Sequence, residues 1–197
     1  MVENKYLVPH NHDLTEKDRS ELLGNKSLLV WLTGLSGSGK STLANEVSKK
    51  LHQSGVLTYI LDGDNIRTGI NSDLTFSPED REENIRRIGH IGKLMTEAGL
   101  VCFAAFVSPY EKDRKAVRDL FREGNMIEIY VKCSVDKCES RDVKGLYKKA
   151  REGIIKDFTG VSAPFEPPTN PDLIIDTENQ NLSQSIDELT TLIQRKI

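Results

Sequence analysis

The chain has 197 residues, 37% of them hydrophobic and 29% charged, and a formal net charge of -3. This length suits one α/β domain, and no apolar run reaches the ~20 residues that a bilayer crossing needs. The acidic balance argues against a nucleic-acid partner, since nucleic-acid binders carry a basic excess, but a local basic pocket for a small anion stays open.

Residues 1–25 read as an N-terminal extension with a short helix near Leu14 to Leu23, ahead of a single domain over 26–197. Met1 to Gly24 is polar and lacks the apolar stretch of a signal peptide, so the cytoplasm is the expected compartment and no membrane association is expected. Strand signals then alternate with helical ones, the pattern of βαβ units around a parallel sheet. The first strand is Leu28 to Leu32, followed by a Gly-rich turn and a helix to about Lys50. The second is Val56 to Leu61, ending on Asp62. Ser77-Pro78-Glu79-Asp80 is a helix start, with Ser as cap, Pro at the first position and acids in the first turn. Ile85, Ile88, Ile91, Leu94 and Met95 follow at helical spacing.

The third strand, Val101 to Val107, is nearly all apolar, as a strand buried on both faces requires. Met126 to Val131 is the fourth strand, and Leu173 to Ile175, ending on Asp176, is the fifth. Asn181 to Ile197 closes the chain as an amphipathic helix. Cys102, Cys133 and Cys138 are odd in number and lack a C-x-x-C spacing, which reads as reduced thiols. Arg141 to Lys156 carries six basic residues against Asp142 and Glu152. It reads either as a solvated helix face or as a lid over phosphates, spanning about 141–160.

Gly34-Leu35-Ser36-Gly37-Ser38-Gly39-Lys40-Ser41 fits G-x-x-x-x-G-K-[ST] in its required place between a strand and a helix. Glycines let successive N–H groups converge on an anion, and the helix start adds its positive dipole end. Lys40 reaches the β- and γ-phosphates of ATP, and the Ser41 hydroxyl is a ligand for Mg²⁺. The fold expected is a P-loop NTPase fold, α/β, with a parallel five-stranded sheet, helices on both faces and a lid segment. No N-K-x-D guanine-reading motif is present, so a GTPase is discounted.

Asp62-Gly63-Asp64-Asn65-Ile66-Arg67 ends the second strand, at the sheet edge where such folds bind ligands. Phosphoryl transfer needs a group to orient the attacking hydroxyl and carboxylates to hold the metal. Asp62 is favoured as the base and Asp64 as a substrate or metal-water contact, with the opposite division open. Arg67 is a candidate oxyanion clamp. Phe76 with Arg81 and Asn84 offers a base-stacking platform beside an anion clamp, although Phe76 taken singly reads as core and Arg81 as solvated. Ser108-Pro109-Tyr110, after the third strand, also faces the cleft or forms a plain turn.

Together these segments resemble one family. Trp31 to Ser41, Asp62 to Arg67, Phe76 to Arg87, Ser108 to Tyr110, Arg141 to Tyr147 and Phe158 to Gly160 are similar, in order, to the adenylylsulfate kinases. The resemblance implies ATP-dependent 3′-phosphorylation of adenosine 5′-phosphosulfate (APS), a cytoplasmic homodimer, and Mg²⁺ as cofactor, held by Ser41 and by Asp62 or Asp64 through water. It implies ATP contacts from Gly34 to Ser41, Thr42 and Arg141. Phe76 and Phe158 would sandwich the adenine of APS, while Asp64, Asn65, Ile66, Arg67, Arg81, Asn84, Val107, Ser108 and Lys144 would hold the rest. Lys40 and Asp62 would be catalytic. The resemblance also implies a phosphoserine intermediate at Ser108, although direct in-line transfer needs only positioning and charge neutralisation. Another small-molecule or nucleotide kinase is the alternative. The chain departs from the family pattern at Asp157, where Gly is usual, and at Phe165, where Tyr is common.

Overall fold

Strand β1 (Leu28–Thr33) lies at the centre of a five-stranded sheet of order β2-β3-β1-β4-β5, with every neighbouring pair parallel. Its partners are β2 (Thr58–Asp62), β3 (Val101–Ala105), β4 (Met126–Lys132) and β5 (Leu173–Asp176). The computed structural model describes residues 8, 10 and 12–197, so part of the sequence-defined extension lies outside the described residues.

Side-chain alternation along the strands builds two cores. Leu28, Val30 and Leu32 of β1 point with Phe103 and Ile129 toward α2 (Lys40–Gln53) and α8 (Leu182–Gln194), which supply Leu43, Val47, Leu51, Leu189 and Ile193. Leu29 and Trp31 point the other way, with Cys102 and Ala104, onto α4 (Pro78–Glu97) and α5 (Glu111–Arg118) through Ile85, Ile88 and Val117. A sheet covered on both faces explains why β1 and β3 read as unbroken apolar runs.

Local chemistry sets the boundaries. Ser77 caps α4 by accepting from the Asp80 N–H, with Pro78 at the first position, as its sequence predicts. Asn181 caps α8 through a capping box with Gln184. Strand β2 starts at Thr58 rather than Val56, and β3 ends at Ala105 rather than Val107. The next backbone N–H, of Phe106, still donates to Leu32, and then the chain turns away at Ser108, whose φ of +36° no strand adopts. Helix α1 (Glu16–Leu23) sits at the opposite pole, where the Glu16 carboxylate accepts from Ser27 and Asn125. The basic stretch is not one helix face. It contains the end of α6 (Val135–Arg141), the short α7 (Leu146–Arg151) and a run of turns to Gly160.

Candidate active site

The C-terminal ends of β1, β2 and β3 converge on one edge. Between β1 and α2 the phosphate loop curls as its glycines allow. Gly34 has a φ of +151°, and a Cβ there would lie 2.4 Å from the Val131 carbonyl oxygen, so only glycine fits. Lys40 is buried and its Nζ donates to the Gly34 and Leu35 carbonyls at 2.8 and 2.7 Å. Burial depresses the Lys40 ammonium from 10.5 to about 8, because the charged form is the one that loses hydration.

Asp62 ends β2 and caps α3 (Gly63–Arg67), its Oδ1 accepting from the Asp64 N–H at 3.1 Å. Its Oδ2 accepts from the Ser41 hydroxyl at 2.6 Å. A hydroxyl and a carboxylate are thereby paired beside the phosphate loop. These are hard oxygen donors of the kind Mg²⁺ takes, so the residues fit the expected cofactor. Asp64 points instead to an ion pair with Lys144, which follows α6.

Arg67 leaves the end of α3 and lies over the Phe76 ring, 4.3 Å from its centroid. Burial, and then the like charge of Arg81, push the Arg67 guanidinium down. Two cations held this close form a site that favours an anion. Phe76 is 62% exposed, so its place is the cleft and not the core. Arg81 is not solvated: its guanidinium donates to the Phe76 carbonyl, to the Asp157 carbonyl and to Thr159 Oγ1. It thus ties the start of α4 to the segment carrying Phe158. Asp157 has a φ of +54°, in the left-handed region, which explains why glycine suits that position. Phe158 meets Tyr147 edge to face at 5.0 Å, and Phe165 stacks on Tyr130 at 5.9 Å.

Ser108 follows β3 at this same edge, but its hydroxyl is turned inward. It is 2% exposed, its Oγ accepts from Trp31 Nε1 at 3.1 Å and donates to Thr33 Oγ1 at 2.9 Å. Thr33 Oγ1 in turn donates to the Val107 carbonyl at 2.8 Å. The hydroxyl is enclosed, so this geometry speaks against a covalent intermediate on it. Cys133, just after β4, and Cys138, on α6, are buried with Leu35 and Tyr147, and all three cysteines are free.

Arg141 donates to the Gly37 carbonyl at 3.3 Å and to Thr177. Three further residues complete the site. Tyr147 donates to the Ser36 carbonyl at 2.9 Å, joining α7 to the phosphate loop. Thr177, after β5, donates to the Ser38 carbonyl at 2.8 Å. Asn71, fully buried, donates to Asn84 Oδ1 at 3.0 Å and so fixes which end of the Asn84 amide it presents as donor. Among the described residues no group of three or more His, Cys, Asp or Glu stands ready to hold a metal on its own, and no helix is long and apolar enough to cross a membrane.

The family model of Adenylylsulphate kinase matches residues 26–176. An adenylyl-sulfate kinase of Staphylococcus epidermidis is 52% identical over 189 residues, covering 96% of this chain and 95% of the relative. The solved Mycobacterium tuberculosis APS kinase, in complex with AMPPNP and APS, superposes with a TM-score of 0.82 at 39% identity, over 86% of this chain and 98% of its own. A hexameric APS kinase from Thiobacillus denitrificans gives a TM-score of 0.65 at 26% identity, over 91% of this chain and 31% of its own.

Proposed function

The chain belongs to the adenylylsulfate kinase family, and from that premise we propose that it transfers the γ-phosphoryl group of ATP to the 3′-hydroxyl of APS. The product is 3′-phosphoadenosine 5′-phosphosulfate, the activated sulfate of assimilation. One juxtaposition carries the reading at the level of this chain. An exposed aromatic ring, Phe76, and two neighbouring cations, Arg67 and Arg81, stand beside the acidic turn that is hydrogen-bonded to the phosphate loop. A purine with an anionic tail satisfies both features at once.

The phosphate loop amides and Lys40 grip the triphosphate, exchanging the two loop carbonyls that now hold Nζ for phosphate oxygens. Ser41, with Asp62 or Asp64 through water, would hold Mg²⁺, which when bound neutralises charge on the phosphates. Asp62 aims the 3′-hydroxyl and takes its proton, a role worth roughly 10²–10⁴-fold. Phe76 and Phe158 stack on the adenine, at roughly 1–3 kcal/mol per base. Arg67, Arg81 and Asn84 take the phosphosulfate. The 141–160 segment acts as the lid of a domain spanning 26–197, and Lys144 exchanges Asp64 for substrate charge as it closes. Water kept out in this way does not hydrolyse ATP. Free, buried thiols suit the reducing cytoplasm, and a homodimer is the assembly expected. Purified protein given ATP, Mg²⁺ and, in parallel, APS, AMP or gluconate tests the assignment. Brisk turnover with APS is expected, and preference for either other acceptor overturns it.

A further inference from the structure

The 106–108 segment lies between the two catalytic edges. Ala105 is level with Leu32 on one side and with Asp62 on the other, so the next residues pass between the phosphate loop and the acidic turn. Their backbone is unusual. Ser108 sits at φ +36°, a conformation that costs an ordinary residue free energy and persists only when its surroundings impose it. From the β1 side, Thr33 and Trp31 grip it through Val107 O and Ser108 Oγ. From the other side comes Arg114 of α5, itself 2% exposed.

The Arg114 guanidinium donates from two arms of its fork to backbone carbonyls. Nη1 donates to the Ser108 carbonyl at 2.8 Å, and Nη2 donates to the Glu166 carbonyl at 2.8 Å. Its Nε lies 2.8 Å from Glu128 Oε1 on β4. Glu166 is bound back to the same turn, its N–H donating to Pro109 O at 2.8 Å and its carboxylate accepting from the Glu111 N–H at 2.7 Å. Arg114 therefore fastens two separate walls to one point: the strained 107–109 turn and the 158–166 segment that begins with Phe158. A buried pair of this kind contributes little net stability, but a rigid bidentate fork fixes geometry that a lysine cannot reproduce.

We infer that Arg114 is a positioning residue for the acceptor, holding the Val107–Ser108 backbone and the Phe158 segment in the spacing that the acceptor nucleotide requires. The inference rests on the proposed APS reading. It predicts a defect confined to the acceptor, because the fork touches neither Lys40 nor the phosphate loop.

The test compares wild type with Arg114→Lys, which keeps a cation for Glu128 but cannot donate to both carbonyls. APS kcat/KM should fall about 10-fold, mostly through KM, the size expected when one charged hydrogen bond is lost. The affinity for a non-hydrolysable ATP analogue should stay within about two-fold. The chain's single tryptophan, Trp31, is bonded to Ser108, so its fluorescence should shift in the ligand-free variant. An unchanged APS KM with only a lower melting temperature overturns the inference, as does an equal loss of ATP affinity. If R114K does not fold, Glu128→Gln takes its place, since it loosens the fork's anchor and leaves both carbonyl bonds. A rise of about three-fold in APS KM is expected there, and an unchanged value overturns the inference. Wild type that leaves APS untouched overturns the functional reading and the inference with it, whereas active wild type with an unaltered R114K overturns the inference alone.

Discussion

Adding ATP·Mg²⁺ should make the protein take up a proton at mildly alkaline pH. In the ligand-free site Lys40 is held by two neutral carbonyls, and burial brings its ammonium down from 10.5 to about 8. At 1.36 kcal/mol per pH unit, keeping that cation charged costs about 3 kcal/mol. The folded chain thus binds fewer protons than the unfolded chain between about pH 8 and 10.5. The penalty is fully present below pH 8 and is relieved as pH rises through that window, so Lys40 makes ligand-free stability climb there. Triphosphate oxygens supply the missing charge and return the ammonium to its ordinary range. ATP binding should therefore take up about 0.1 proton at pH 7, about 0.5 at pH 8 and about 0.9 at pH 9. Isothermal titration calorimetry in buffers of different ionisation enthalpy measures this number directly. Uptake that is zero, or equal at pH 7 and pH 9, would refute either the burial of Lys40 or its contact with the phosphates.

Three substitutions probe the rest. Asp62→Asn keeps the helix cap, since Asn caps as well as Asp, yet should lower kcat by about 10²–10⁴ in a coupled ATP assay; near-normal turnover removes Asp62 from the role of base. Ser108→Ala should cost about 1–3 kcal/mol in urea unfolding, from the unpaired Trp31 and Thr33 groups, and keep kcat within about 10-fold; a loss beyond 10³ would restore the covalent route. Asp157→Val should destabilise by about 1–2 kcal/mol, a melting shift of roughly 2–8 °C, because a β-branched residue resists the left-handed backbone; a variant as stable as wild type contradicts that conformation.

The parts of the site legible in the sequence were those made by short-range chemistry. The phosphate loop needs glycines and a lysine at fixed offsets, and Asp62-Gly63-Asp64 ends a strand beside it, so spacing alone placed both. The five parallel strands also followed from apolar runs separated by helical ones, whereas their order across the sheet did not. What stayed hidden depends on residues far apart along the chain. Tyr147 reaches Ser36 across 111 positions, and Thr177 reaches Ser38 across 139. Arg114 belongs to no sequence motif, and only the fold shows it buried against Glu128. Phe76, which taken singly reads as core and with the arginines after it as a stacking platform, stands exposed under Arg67. Ser108 sits at the expected strand end, but backbone direction, which spacing does not encode, turns its hydroxyl inward. The unusual Asp157 became intelligible only once its φ was known.

The central claim is that an amide-lined loop presents the end of ATP to a ribose hydroxyl aimed by Asp62. Its most direct test is to incubate wild-type protein with ATP labelled in the γ-phosphoryl group, Mg²⁺ and APS, and to locate the label in the product. Label is expected on the 3′-oxygen of 3′-phosphoadenosine 5′-phosphosulfate, one per ADP released. Label in inorganic phosphate alone, or on another acceptor with APS untouched, would contradict it.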